Sequence, residues 1–261
     1  MTPTHPTAPT RRPVPDPETG EPPVDTTRRT YEQVRDAILS GVLEPGTWVS
    51  QVQLAARLNV SRTPLREALR RLQTEGLVQL DFNRRLRVAP LSVPDLESLY
   101  ALRIVSEPLA VRISVPQLGK DELDEAADCL DRLRRADHGD QDAVIIPHRR
   151  FHFLLFSHCE DRLRLQVEEM WDHAVRYVSL YHRAEDFRLG LITMGRSEHE
   201  RIFAAAAARD GALAGRLVAE HLARTALTVV AAVAGGHDPR TVREALNFVL
   251  TAAPGVSPSE R

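Results

Sequence analysis

Between Ser50 and Gly76 the sequence allows little besides two short helices joined by a sharp turn. Ser50 suits an N-cap, because its hydroxyl accepts a hydrogen bond from a backbone N–H of the first turn. Val52, Leu54, Ala55 and Leu58 then recur at helical spacing. Asn59 tolerates the left-handed backbone that closes a helix. Ser61 or Thr63 can cap the next helix, and Pro64 fits its first turn, where a missing N–H costs nothing. Leu65, Ala68, Leu69 and Leu72 form the inner stripe of that helix, and Gly76 ends it. Helices locked in this way can set the start of the second one in the major groove of DNA. The same geometry also occurs in proteins that never touch nucleic acid, so charge must be consulted.

The overall charge of −2 hides an asymmetry. Residues 27–90 hold eleven arginines against six acids, a net of +5, whereas residues 91–261 carry a net of −5. A basic unit joined to an acidic one suggests a reader of polyanions attached to something else. The candidate DNA contacts are Ser61, Arg62, Thr63 and Arg66 at the start of the second helix, with Ser50 at the start of the first. An arginine can pair bidentately with guanine O6 and N7, while hydroxyls and a helix N-terminus suit phosphate oxygens. Arg70 and Arg71 lie further along and suit phosphate neighbours or solvent.

A preceding helix is expected over about Thr30–Ser40, followed by a turn at Glu44-Pro45-Gly46. After Gly76, Leu77–Leu80 and Leu86–Ala89 read as a short hairpin, or wing, turning near Asn83. Arg84 and Arg85 at its tip can enter the minor groove or follow the backbone. Residues 1–26 hold eight prolines and no apolar periodicity, so they are expected to be disordered, with Arg11 and Arg12 available to phosphates.

Past Pro90 the pattern turns wholly helical. Helices are expected over about 93–114, 120–137, 141–158, 160–183, 187–209, 212–233 and 239–251, the first kinked at Pro108. Aromatics are only 5% of the chain, which favours helices packed through Leu, Ala and Val. The expected fold is therefore mainly α: a winged helix-turn-helix domain over 27–90, an all-α antiparallel helical bundle over 91–252, and a disordered tail over 253–261. Cys129 and Cys159 cannot frame a disulfide scaffold, and no apolar run approaches the roughly 20 residues of a membrane span. The start lacks the apolar core of a signal peptide, and a cytoplasmic setting is expected.

Four histidines form a second pattern. His148 and His152 are four apart and share a helix face. His199 and His221 lie eleven residues either side of Asp210, where Asp210-Gly211 suits a turn between two helices. In an antiparallel hairpin the two would stand at one height, roughly 16 Å from the turn at 1.5 Å per residue. Two converging pairs of neutral imidazoles can build a metal site in a bundle. On spacing alone, ordinary core or surface histidines are the stronger reading.

Residues 37–78, AILSGVLEPGTWVSQVQLAARLNVSRTPLREALRRLQTEGLV, closely resemble the winged helix of GntR-family regulators. That resemblance implies base and phosphate contacts from Ser61, Arg62, Thr63, Arg66 and the wing. One departure is the wing tip, where relatives usually carry glycine and this chain reads Asn83-Arg84-Arg85. Leu99–Ala110, with Tyr100, Arg103 and Glu107, resembles the opening of the FadR-type ligand domain called FCD. Phe151-His152, His199-Glu200 and His221-Leu222 match its later signatures.

In metal-binding members of that family an Asp and three His hold a divalent cation. The resemblance maps the three onto His152, His199 and His221, and places His148 where the Asp stands. A four-His site favours zinc, with nickel or copper as alternatives, over harder manganese. The cation usually anchors an effector, often a small organic acid. Arg103 could then face a carboxylate, or simply pair with Glu107 one turn on. Arg149 and Arg176 are further candidates for the pocket wall.

The expected function is a homodimeric, effector-responsive regulator that binds double-stranded operator DNA, with repression the expected sense. The alternatives are a metal-responsive regulator without an organic effector, and a helical metal-dependent hydrolase. The chain has no H-E-x-x-H motif to support the latter.

Overall fold

The computed structural model describes residues 25–81, 85–137, 140–182 and 185–251. The expected tails, the wing-tip residues Asn83 and Arg84, and Arg11 and Arg12 lie outside them. The fold is mainly helical, with a small winged helix-turn-helix unit ahead of a helical bundle.

Helix α1 spans Thr26–Leu39 and starts four residues earlier than the sequence suggested. Asp25 is the reason: its side chain accepts from the Arg28 N–H and caps the first turn. Strand β1 (Trp48–Ser50), which the sequence pattern left unassigned, runs straight into α2 (Gln51–Leu58). Asn59 closes α2 at φ 52°, and α3 spans Arg62–Thr74. Strands β2 (Val78–Leu80) and β3 (Arg85–Val88) form the wing. The sheet is antiparallel in the order β1-β3-β2, with Val49 opposite Leu86 and Gln79 opposite Arg87. Sequence reading missed β1 because three residues cannot show a period; its pairing partner supplies the order. Val34, Ile38, Leu65, Leu69, Leu72 and Leu86 fill one core, each at most 2% exposed.

The remaining helices follow the expected bounds closely. They are α4 (Val93–Ser114), α5 (Lys120–Arg135), α6 (Gln141–Leu155), α7 (Asp161–His182), α8 (Glu185–Ala207), α9 (Gly211–Val233) and α10 (Arg240–Thr251). Pro108 lies inside α4. A second core forms around Tyr100, Ile104, Phe151, Phe156, Val218 and Ala226. Helix α9 packs on α4 through two glycines. A Cβ on Gly211 would lie 2.5 Å from the Arg112 carbonyl oxygen, and one on Gly215 2.7 Å from that of Pro108. Only hydrogen at these positions lets the two backbones approach so closely, which seats His221 of α9 near Arg103 and Glu107 of α4. Asp210 caps α9 by accepting from the Leu213 N–H, so the expected turn is present.

Candidate metal centre and nucleic-acid interface

The four histidines converge inside the bundle. One ligand atom from each of His148, His152, His199 and His221 lies within 4.8 Å of all the others. His148 Nε2 is 3.1 Å, and His152 Nε2 3.3 Å, from His199 Nε2. For comparison, nitrogens around a tetrahedral zinc stand roughly 3.3 Å apart, given Zn–N bonds near 2.0–2.1 Å. Helix α6 supplies two of the imidazoles, one turn apart. The α8–α9 hairpin supplies the other two at matched height, with ring centroids 4.7 Å apart.

Burial keeps three of these rings neutral. Loss of solvation lowers His152 and His221 to about 4 and His199 well below the usual histidine range. Neutral imidazoles are the form that ligates metal. Two buried carboxylates fix ring orientation. Glu198 Oε2 lies 2.7 Å from His221 Nδ1, and Glu107 Oε1 lies 3.6 Å from His152 Nδ1. With Nδ1 held in this way, Nε2 of each ring is left for the centre, the arrangement commonly found behind metal-ligating histidines. Glu107 also accepts from Trp171 Nε1 at 3.1 Å and from Arg103 Nη2 at 3.0 Å. Burial alone would raise its pKa, but Arg103 and the hydrogen-bonding neighbours outweigh that and hold it at about 2. Glu198 is also ion-paired with Arg224. The donor set and its chemistry thus fit a divalent cation. Sequence reading did not find Glu198, although the hairpin symmetry that paired His199 with His221 reaches it one residue further from the turn.

Arg103 pairs with Glu107 and also lines the adjoining cavity of about 130 Å³, as do His148, His199 and His221. The expectation for Arg149 and Arg176 as cavity walls is corrected. Arg149 turns to Asp172 at 3.1 Å, and Arg176 donates to the Ala89 carbonyl, because both project from the sides of α6 and α7 that face away from the cavity. Arg196, which the sequence did not single out, lines the cavity instead.

Helix α7 separates this cavity from the winged helix. Trp171, Ala174, Val175 and Val178, at helical spacing, line the cavity. The other side of α7 meets the amino-terminal unit. Asp172 pairs with Arg35 of α1, His173 approaches Gly76, and Arg176 holds Ala89.

At the candidate nucleic-acid face, Ser61, Arg62, Thr63 and Arg66 are all exposed at the start of α3. Ser61 occupies the N-cap position without a side-chain capping bond, which leaves its hydroxyl outward. Ser50 is committed to capping α2, accepting from Gln53 N at 3.5 Å. Arg85 is exposed on the wing, its guanidinium 5.1 Å from the centre of the Trp48 ring. Glu67 and Glu75 tie α3 to Thr27 and Tyr31 of α1. No described helix is long and apolar enough to cross a membrane.

Comparison with known proteins agrees with this architecture. Residues 26–88 match the model for bacterial regulatory proteins of the gntR family, and residues 98–224 match the FCD domain. An uncharacterized HTH-type transcriptional regulator, YdhC of Bacillus subtilis, is 30% identical over 175 residues, covering 66% of this chain and 77% of its own. The transcriptional repressor GlaR of Escherichia coli is 28% identical over 211 residues, covering 78% of this chain and 96% of its own. Among solved structures, a GntR transcriptional regulator from Rhodococcus sp. RHA1 superposes with a TM-score of 0.65 at 27% identity, covering 81% of this chain and 99% of its own. Escherichia coli McbR shares the fold, with a TM-score of 0.68 at 22% identity, covering 78% of this chain and 96% of its own. The chain belongs to the GntR family, joins its helix-turn-helix to an FCD domain, and is a DNA-binding transcriptional regulator.

Proposed function

We propose that this protein is a homodimeric repressor whose operator affinity is set by a small carboxylate effector, held at a divalent metal in the four-histidine site. The observation that carries the reading is the two-sided placement of α7. One side lines the cavity beside the histidines, and the other is fastened to the DNA-binding unit through Asp172, His173 and Arg176. An effector that favours one setting of α7 would thereby favour one placement of the DNA heads, which is what allosteric coupling requires.

His148, His152, His199 and His221 would hold the cation, with zinc the best match to four imidazoles and nickel or copper as alternatives. When bound, it supplies a positive anchor for a carboxylate. Their donor atoms spread over as much as 4.8 Å, wider than a tetrahedral edge, and three of the four rings also line the cavity. That leaves room for an exogenous oxygen. Glu107 and Glu198 orient the rings, while Arg103 and Arg224 offset their charges.

On DNA, Arg62 and Arg66 would read base edges, with Ser61 and Thr63 on phosphates. Ser50 would contribute through its place at the start of α2, and Arg84 and Arg85 through the wing. A dimer follows from the need to span two half-sites. It is supported by Leu102, Val105, Leu109 and Ile113, an exposed apolar stripe along α4.

A thermal-shift screen of organic acids against zinc-loaded protein, followed by operator titration with each hit, tests the reading. Stabilising acids should change operator affinity at least fivefold. Acids that stabilise the protein yet leave operator affinity unchanged would refute effector control. Affinity that responds to zinc alone would instead support a metal-responsive regulator.

A further inference from the structure

We infer that the cavity beside the histidines takes a monocarboxylate with a compact hydrocarbon body, of branched-chain or single-ring size, rather than a polyhydroxylated acid. This rests on the effector reading above and specifies its ligand.

Among the described residues, much of the wall away from the histidines is aliphatic. Leu133 of α5, Val144 and Ile145 of α6, Val175 and Val178 of α7, and Leu222 of α9 all line it. Val144 and Ile145 lie one turn from His148 on α6. Val175 and Val178 lie one and two turns along α7 from Trp171, whose ring centroid is 5.3 Å from that of His148. The lining therefore changes from imidazole to hydrocarbon within one or two helical turns.

Three polar side chains described in the wall each have a partner within the protein. Arg103 donates Nε and Nη2 to Glu107. Thr225 donates its hydroxyl to the carbonyl of His221 at 3.0 Å. Arg196 donates to the Arg134 carbonyl at 3.3 Å. A ligand hydroxyl placed against the Leu, Val and Ile side chains would give up its water without gaining a partner, which weakens binding by about tenfold or more per group. A carboxylate is favoured at the imidazole end, where the cation would sit.

Volume points the same way. The cavity measures about 130 Å³, close to the roughly 150 Å³ apolar cavities that accept benzene. A body of about six carbons fits that space.

The test is calorimetric titration of full-length, zinc-loaded protein with benzoate, 4-methylpentanoate and gluconate. Benzoate or 4-methylpentanoate should bind at least tenfold more tightly than gluconate. Val178→Thr and Val144→Thr, which add a hydroxyl with little change of shape, should weaken the hydrocarbon acids about fivefold and leave zinc stoichiometry unchanged. Gluconate binding as tightly as the hydrocarbon acids overturns the ligand class and leaves effector control standing. Failure of both hydrocarbon acids to bind, with zinc in place, also overturns this inference. Equal binding by the Thr variants and the parent protein also overturns it.

Discussion

Glu198 Oε2 stands 2.7 Å from His221 Nδ1 inside the bundle, and both side chains are only 9% exposed. A carboxylate behind an imidazole fixes the tautomer, directs the other nitrogen to the centre and raises its basicity. Glu198→Gln keeps an acceptor at that position but removes the charge. Zinc affinity, measured by competition with a chromogenic chelator, should fall by about tenfold to a hundredfold, with the helical content unchanged. Unaltered affinity would mean that the pair is structural only.

The metal-free protein should also be acid-sensitive. His152 and His221 are lowered by burial from the usual 6.5 to about 4 in the folded state. Between those limits the unfolded chain binds more protons than the folded one, so stability is fully present above pH 6.5 and declines as pH falls toward 4. Chelator-treated protein should therefore lose melting temperature across that window. His152→Gln should flatten the slope, whether or not it changes stability at pH 7. A melting temperature constant from pH 7 to 4.5 would contradict burial as the cause.

The limits of sequence reading follow from particular residues. Helices such as α5 and α10 were legible because they repeat an apolar period over three or more turns and are bounded by signals such as Gly119 and Pro239. The convergence of the histidines was legible because Asp210 sits midway between His199 and His221, which fixes their height. Strand β1 was not, since Trp48–Ser50 gains its order from β3, some 36 residues distant in the chain. The directions of Arg149 and Arg176 were not legible either. Their stems lie on helices with apolar residues on more than one side, and only packing decides which side meets the cavity. Glu198 was passed over because an acid beside a histidine on a long helix usually faces water.

The apolar stripe on α4 gives a prediction about assembly. Leu102, Val105, Leu109 and Ile113 are 62%, 41%, 51% and 42% exposed and recur at helical spacing. Leaving such a seam in water is unfavourable by roughly 25 cal/mol for each Å² that a partner could cover. Leu109→Arg should shift the protein from dimer to monomer in light scattering and weaken operator binding, while the melting profile of the helical unit persists. A dimer that survives this change would place the interface elsewhere.

The last prediction concerns Asp172. One carboxylate serves two arginines from different parts of the chain, Arg35 of the winged helix and Arg149 of α6, one residue from His148. The three side chains are partly buried, at 17%, 39% and 20% for Arg35, Arg149 and Asp172, so the bridge is screened less than a surface pair. Asp172→Asn removes the charge that the two arginines share and leaves two guanidiniums facing each other across a neutral amide. The core residues beside it, Trp171 and Ala174, are untouched by that change. Hydrogen exchange at the amides of α1 should accelerate by about fivefold to fiftyfold, matching a local loss of roughly 1–2 kcal/mol. Exchange in α9, which lies across the histidine site, should stay the same. Zinc affinity should also persist, because Asp172 touches none of the four rings. Operator DNA should still bind, with a smaller difference between zinc-loaded and metal-free protein. Should α1 exchange unchanged, the bridge would not be what holds the DNA head to α7, and the contacts of His173 and Arg176 would have to carry that role.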